Sequence, residues 1–128
     1  MKIATIIAGG LLGLVFIVFG LNYFLNFIPM PEGPPEGSPP ALFMAALVPT
    51  GYLAFVKVLE IVGGLLTAIP KTRNFGLLVL GPIVVNILAF NLFLTNGAGL
   101  TQPPVILVAV LSAFLLFAGL KSFAKLAN

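Results

Sequence analysis

From Ile3 to Leu21 the chain reads IATIIAGGLLGLVFIVFGL, 19 residues without a charged side chain. About 20 apolar residues of helix cross the roughly 30 Å hydrocarbon core of a bilayer. In that core backbone N–H and C=O groups find no water, so a spanning segment of this kind must satisfy them within itself, as a helix. Three further apolar segments follow, and their number predicts an all-α, four-transmembrane-helix bundle. Composition points the same way. Only 7% of the 128 residues are charged and 60% are hydrophobic, with a mean hydropathy of +1.22. A soluble domain carries about 25% charged residues, so this chain lacks the means to cover a water-facing surface.

The expected transmembrane helices cover about residues 3–28, 50–69, 74–94 and 103–123, all within one domain, 1–128. The first two are separated by PMPEGPPEGSPP (29–40), whose six prolines, two glycines and two glutamates keep it from continuing as helix. Next comes ALFMAALV (41–48), about 12 Å of helix at 1.5 Å per residue and too short to span. It reads as a short interfacial or re-entrant helix before the second transmembrane helix, the alternative being one long second helix kinked at Pro49. Pro70 stops the second segment, and TNGAGLTQ separates the third from the fourth.

Charge placement sets an expected orientation. Lys2, Lys71, Arg73, Lys121 and Lys125 all fall on one side of a four-helix topology, whereas Glu32 and Glu36 sit in the proline loop on the other. The excess of Lys and Arg in cytoplasmic loops then puts both termini and the second loop in the cytoplasm, with the protein in the cytoplasmic (inner) membrane. The first run exceeds the usual h-region of a secretory leader and has no A-x-A-like site after it, so it reads as a retained helix.

Two features interrupt the apolar pattern. In the first segment Gly9, Gly13 and Gly20, at spacings of four and seven, share one helix face. Small residues let transmembrane backbones approach closely, and packing is the reading for this face. Asn22 and Asn26 near its far end either line a cavity or cap the exit. The second segment carries KVLEIVGG. There Lys57 and Glu60, three apart, leave the same face about one turn apart, and Gly63, Gly64 and Thr67 continue it. A charge at mid-bilayer costs a few kcal/mol even on mild insertion scales, so the pair belongs against protein. Either it neutralises itself inside the bundle, or Glu60 handles a ligand or a proton, for instance from a quinol.

In the third segment, GPIVVNILAFNLFL, Asn86 and Asn91 are amides in an apolar run that need partners. Five residues apart on an α-helix they diverge by about 140°, at 3.6 residues per turn, so at most one faces the Glu60 patch. The fourth segment has Ser112 as its internal polar group. The absence of Cys and His removes disulfides, thiol and imidazole chemistry and the usual haem and zinc ligands, so no metal site and no catalytic residue are expected. Six Lys and Arg spread over the chain form no nucleic-acid patch.

The glycine-rich first helix, KVLEIVGGLL in the second and GPIVVNILAFNLFL in the third resemble the DoxX-like family of small four-helix membrane proteins across most of the chain. That resemblance implies a four-helix bundle in the cytoplasmic membrane. The family takes its name from a subunit of a thiosulfate:quinone oxidoreductase, and other members associate with redox or detoxification systems. Asn91 follows Phe90 where members often carry a histidine, so an amide stands in place of a titratable ring. The resulting expectation is a small non-catalytic subunit, accessory to a larger membrane redox or electron-transfer assembly, with membrane lipids and other subunits as partners. The alternatives are a quinone-reactive subunit with Glu60 and Lys57 beside the quinone, and a carrier of a small solute. Candidate ligand- or proton-binding residues are Lys57, Glu60, Asn86 and Asn91; the packing glycines are Gly9, Gly13, Gly20, Gly63 and Gly64; quinone or lipid is the expected small-molecule partner.

Overall fold

The computed structural model describes residues 2–29 and 33–127, and they are all-helical apart from turns and loops. Six α-helices follow one another: α1 (Lys2–Leu25), α2 (Pro39–Leu47), α3 (Tyr52–Ala68), α4 (Arg73–Ala89), α5 (Pro103–Ala118) and α6 (Leu120–Ala124). Lys2–Leu25 and Pro70–Leu94 are each long and apolar enough to cross a membrane, and α2 with α3 would make a third span were they not bent by 85° at their junction. α5 is apolar but shorter. Large apolar side chains face outward around the bundle, among them Phe55 (62% exposed), Phe75 (68%), Val85 (66%) and Phe117 (72%). Water-soluble surfaces rarely present so much contiguous apolar area, and the arrangement is compatible with membrane insertion.

The helix ends differ from the expected boundaries for local reasons. α1 stops at Leu25 rather than residue 28 because Asn22 caps it: its side-chain amide donates to the Ile28 carbonyl (3.2 Å) and its Oδ1 accepts from the Ile28 N–H (2.7 Å). Asn26 turns the chain out with φ +51°. α2 begins at Pro39 and Pro40, earlier than expected, since prolines suit the first turn of a helix, where no N–H partner is needed. Of the preceding loop, Gly33 to Gly37 are exposed, whereas Glu32 lies outside the described residues. Pro49, Thr50 and Gly51 make the sharp bend into α3. Gly51 takes φ +80°, and the Thr50 hydroxyl donates back to Ala46 O (2.9 Å).

α4 carries Pro82 in its interior, on an exposed face. Its last turn widens into a π-helix over Phe90–Leu94, and a 3₁₀ turn over Ala98–Thr101 leads into α5. The final segment breaks at Gly119 into α5 and α6.

The apolar core is built from Ala8, Leu12 and Phe16 of α1, Leu77, Leu80, Ile83 and Val84 of α4, and Val108 and Leu115 of α5. α3 adds no fully buried apolar residue to it, only the partly buried Val56 and Leu59 packed against it. Its buried residues are Glu60, Gly63, Gly64 and Thr67, one face at helical spacing. Backbone contact replaces side-chain interdigitation there. A Cβ on Gly64 would lie 2.8 Å from Gly13 O, one on Gly9 2.9 Å from Thr67 O, and one on Gly20 2.7 Å from Ile61 Cγ1. The three α1 glycines thus meet α3 at three successive levels. On the other side of α3, Gly63 abuts Leu80, and Gly76 abuts Thr67, whose hydroxyl donates to Gly63 O (2.7 Å).

Candidate functional site

α3 and α4 touch closely at Gly63, Thr67 and Gly76. Towards the other end of α3 lies a cavity of about 370 Å³. Its walls come from five helices: Val15, Phe16 and Phe19 of α1, Leu53, Val56, Lys57 and Glu60 of α3, Ile83, Asn86 and Ile87 of α4, and Pro104, Val105 and Val108 of α5, while α2 covers it with Phe43, Met44 and Leu47. The lining is mostly apolar and aromatic, with Tyr52, Lys57, Glu60, Asn86 and Asn91 as its polar points. Ligand cavities commonly have this make-up: about 300–1,000 Å³, apolar walls and a few placed polar groups.

Lys57 Nζ donates to Glu60 Oε1 at 3.4 Å, with 22% of the lysine side chain and 8% of the glutamate side chain exposed. Three residues apart on α3, they close this contact along one helix face. The glutamate sits at the buried end of the pair, and Lys57 extends along the cavity wall. A single long contact leaves the second carboxylate oxygen and two ammonium protons without a bond to any described residue. These groups are free to meet a polar ligand atom.

The two α4 amides behave differently from each other. Asn86 lines the cavity but is otherwise exposed, and its side chain makes no hydrogen bond to Glu60 or to any other described residue. Asn91 is 8% exposed, and its amide donates to Ile87 O (2.7 Å). The Asn91 carbonyl accepts from the Gly97 N–H (2.9 Å) and from the Thr95 hydroxyl. Gly99 packs directly on the Asn91 side chain, where no Cβ fits. An undistorted α-helix would turn Asn86 and Asn91 well apart, yet both line one cavity. Asn86 lies in the regular part of α4, whereas Asn91 sits in the π turn that starts at Phe90, where the i→i+5 bonding departs from α-helical spacing.

Of the residues singled out from sequence, Lys57, Glu60, Asn86 and Asn91 therefore meet at one cavity, and Gly9, Gly13, Gly20, Gly63 and Gly64 lie at helix crossings around α3. Sequence reasoning missed the covering role of α2, where Phe43 packs edge-on against Phe90 (ring centroids 5.5 Å apart). A pattern of Phe43, Met44 and Leu47 at helical spacing was the available signal. It also missed Arg73, which turns inward, its Nη1 donating to Thr5 O (3.4 Å). Among the described residues no three His, Cys, Asp or Glu side chains gather as metal ligands.

No protein-family model matches this sequence, and neither a curated protein nor a solved structure is similar to it.

Proposed function

We propose that the chain is an integral membrane protein of four helical crossings with both termini cytoplasmic, and that it serves as a small, non-catalytic binding subunit holding a quinone-class lipid beside a larger redox assembly. The cavity carries this reading. Its aromatic and aliphatic walls suit a flat ring and the start of an isoprenoid tail. Lys57, with Glu60 behind it, offers an N–H donor to a ring carbonyl, and Asn86 offers a second polar contact. With no Cys or His in the sequence, the subunit would hold and orient the ligand while electrons are exchanged at a partner. For the fourth crossing, α6 continues α5 past Gly119, and the resemblance in KVLEIVGGLL and GPIVVNILAFNLFL supports the redox context.

A second reading gives Glu60 a part in proton exchange with a bound quinol. It is favoured by the carboxylate oxygen that Lys57 leaves unbonded at the cavity wall.

The test is calorimetric titration of the full chain in mild detergent with a decyl-chain ubiquinone, together with solvent extraction of the chain purified from native membranes. Saturable binding is expected. Val105→Trp, which fills the cavity from α5, should abolish it, and Glu60→Gln should weaken it. Unchanged binding in Val105→Trp would place the ligand elsewhere, and phospholipid as the sole extracted molecule would refute the quinone assignment.

A further inference from the structure

A second cavity, of about 310 Å³, lies at the opposite end of the bundle, where the starts of α1 and α4 meet the α5–α6 junction. Lys2, Thr5, Arg73, Asn74, Gly119 and Ser122 line it, with Leu115 and Ala118 forming an apolar side. Its chemistry is unlike that of the first. Two cations, an amide and a hydroxyl converge, and the three acidic residues of the sequence, Glu32, Glu36 and Glu60, all lie elsewhere in the chain. Lys71, Lys121 and Lys125 add positive charge nearby in sequence, and among the described residues no carboxylate side chain lines this cavity.

The arginine turns inward towards α1. Arg73 Nη1 donates to Thr5 O (3.4 Å), and Gly9 makes room for its stem: a Cβ there would sit 3.0 Å from Arg73 Cδ. Thr5 directs its own hydroxyl to Lys2 O (2.8 Å), so that hydroxyl is already engaged, while its backbone carbonyl takes the Arg73 contact in addition to its place in the α1 ladder. The rest of the guanidinium fork, the Asn74 amide and the Ser122 hydroxyl have no hydrogen-bond partner among the described residues. Guanidinium and ammonium groups with neutral donors at their side match the oxygens of a phosphate, which accept charge-assisted hydrogen bonds.

We infer that this cavity binds a phosphate group, carried by an anionic phospholipid headgroup or supplied as free phosphate. The wall made by Leu115 and Ala118 suits the glycerol end of a lipid. Basic pockets between membrane helices hold anionic headgroups in this way. The inference takes from the preceding section only that the chain is embedded in lipid, and is independent of what fills the first cavity.

Retention is measured on the full chain in detergent, by native mass spectrometry and thermal shift, with phosphatidylglycerol, with phosphatidylcholine and with inorganic phosphate at matched ionic strength. Reconstitution and flotation of every variant check membrane embedding separately. Removing a cation beside an anionic headgroup weakens binding by roughly fivefold. The double variant Lys2→Gln/Arg73→Gln should therefore lose more than about tenfold in phosphatidylglycerol retention, and Lys2→Gln alone about fivefold. Ser122→Ala changes no charge and leaves the Arg73–Thr5 bond intact, so it reports on the pocket even if the Arg73 variant fails to fold; a loss of a few-fold is expected. Lys71→Gln and Lys125→Gln, outside the pocket, should each lose less than twofold. Protection by inorganic phosphate equal to that by the lipid supports the same site with a soluble source. Equal retention of phosphatidylcholine, no effect of Ser122→Ala, or equal losses in Lys125→Gln and Lys2→Gln overturns the inference.

Discussion

The crossing of α1 and α3 makes a quantitative demand on Gly64. A Cβ placed there lies 2.8 Å from Gly13 O, 3.0 Å from Ile17 Cγ1 and 3.2 Å from Phe16 Cβ, all inside ordinary contact, which begins at 3.4 Å. The nearest neighbour is backbone and cannot rotate away, so Gly64→Ala must push the helices apart by about 0.6 Å at this level. Overpacking of this kind costs about 1–3 kcal/mol. Alanine returns about 1 kcal/mol of helix propensity, which leaves a net loss of about 0–2 kcal/mol, against a gain of similar size at an unobstructed site. Gly10→Ala is the internal control, because a Cβ there meets nothing within 4 Å. It should be neutral or stabilising by up to about 1 kcal/mol. Gly13→Ala strains the same crossing, its Cβ coming 2.9 Å from that of Ala68. Once one alanine has separated the helices the second meets less resistance, so the double variant should cost less than the sum of the two. The assay is titration of the purified chain from mild detergent into sodium dodecyl sulfate, followed by circular dichroism. A Gly64→Ala midpoint at or above that of Gly10→Ala, or strictly additive costs for Gly13 and Gly64, would refute the backbone-contact account.

Other substitutions test the remaining parts. Lys57→Met and Glu60→Gln should each destabilise by about 2–3 kcal/mol in the same titration, the stranded partner being costly at this depth, and the double variant should recover most of that loss; two additive losses would mean the groups do not pair. Ser112 Oγ is a buried polar atom with no hydrogen-bond partner among the described residues, so Ser112→Ala should be neutral or stabilising by about 1 kcal/mol, and a clear loss in midpoint would reveal a partner. Asn22→Leu removes both bonds to Ile28, and hydrogen exchange should show faster exchange at Ile28, with about 1–2 kcal/mol lost overall; an unchanged pattern would mean the exit of α1 is held by other contacts. For topology, an impermeant thiol reagent applied outside intact cells should label Ser38→Cys and spare Thr72→Cys, and the reverse pattern would invert the orientation proposed.

How far the sequence foretells this molecule depends on how local each feature is. An uncharged run such as residues 3–21 leaves few alternatives to helix in lipid, so the helical class was legible, as was the face shared by Glu60, Gly63, Gly64 and Thr67. The Lys57–Glu60 contact follows from spacing alone. Arg73 was harder to read, because a basic residue at a helix start looks like a topological signal. Its inward turn depends on Gly9, which lies 64 positions earlier in the chain and comes into register only when α1 and α4 pack. The π turn at Phe90 likewise has no signature in GPIVVNILAFNLFL. The Asn91 carbonyl within it accepts from Gly97 and Thr95, and Gly99 packs on the Asn91 side chain, contacts made by the turn after α4 folding back on it.

The cavity itself follows from an asymmetry along α3. Towards its C-terminal end, Gly63 and Thr67 meet Gly76, and the short turn through Pro70–Thr72 ties α3 and α4 together. Towards its N-terminal end the same face carries Leu53, Val56, Lys57 and Glu60 opposite Ile83, Asn86, Ile87 and Phe90, where bulk and charge oppose equally close approach. On the other side, α1 stays near α3 along its length, since Gly9, Gly13 and Gly20 supply a small residue at each level. Glycine contacts join α1 and α3 at three levels, whereas those between α3 and α4 are confined to Gly63 and Gly76, near one end of α3. The opening lies towards the other end of α3, with the charge pair on its wall, and the bent α2 lies where it can cover it.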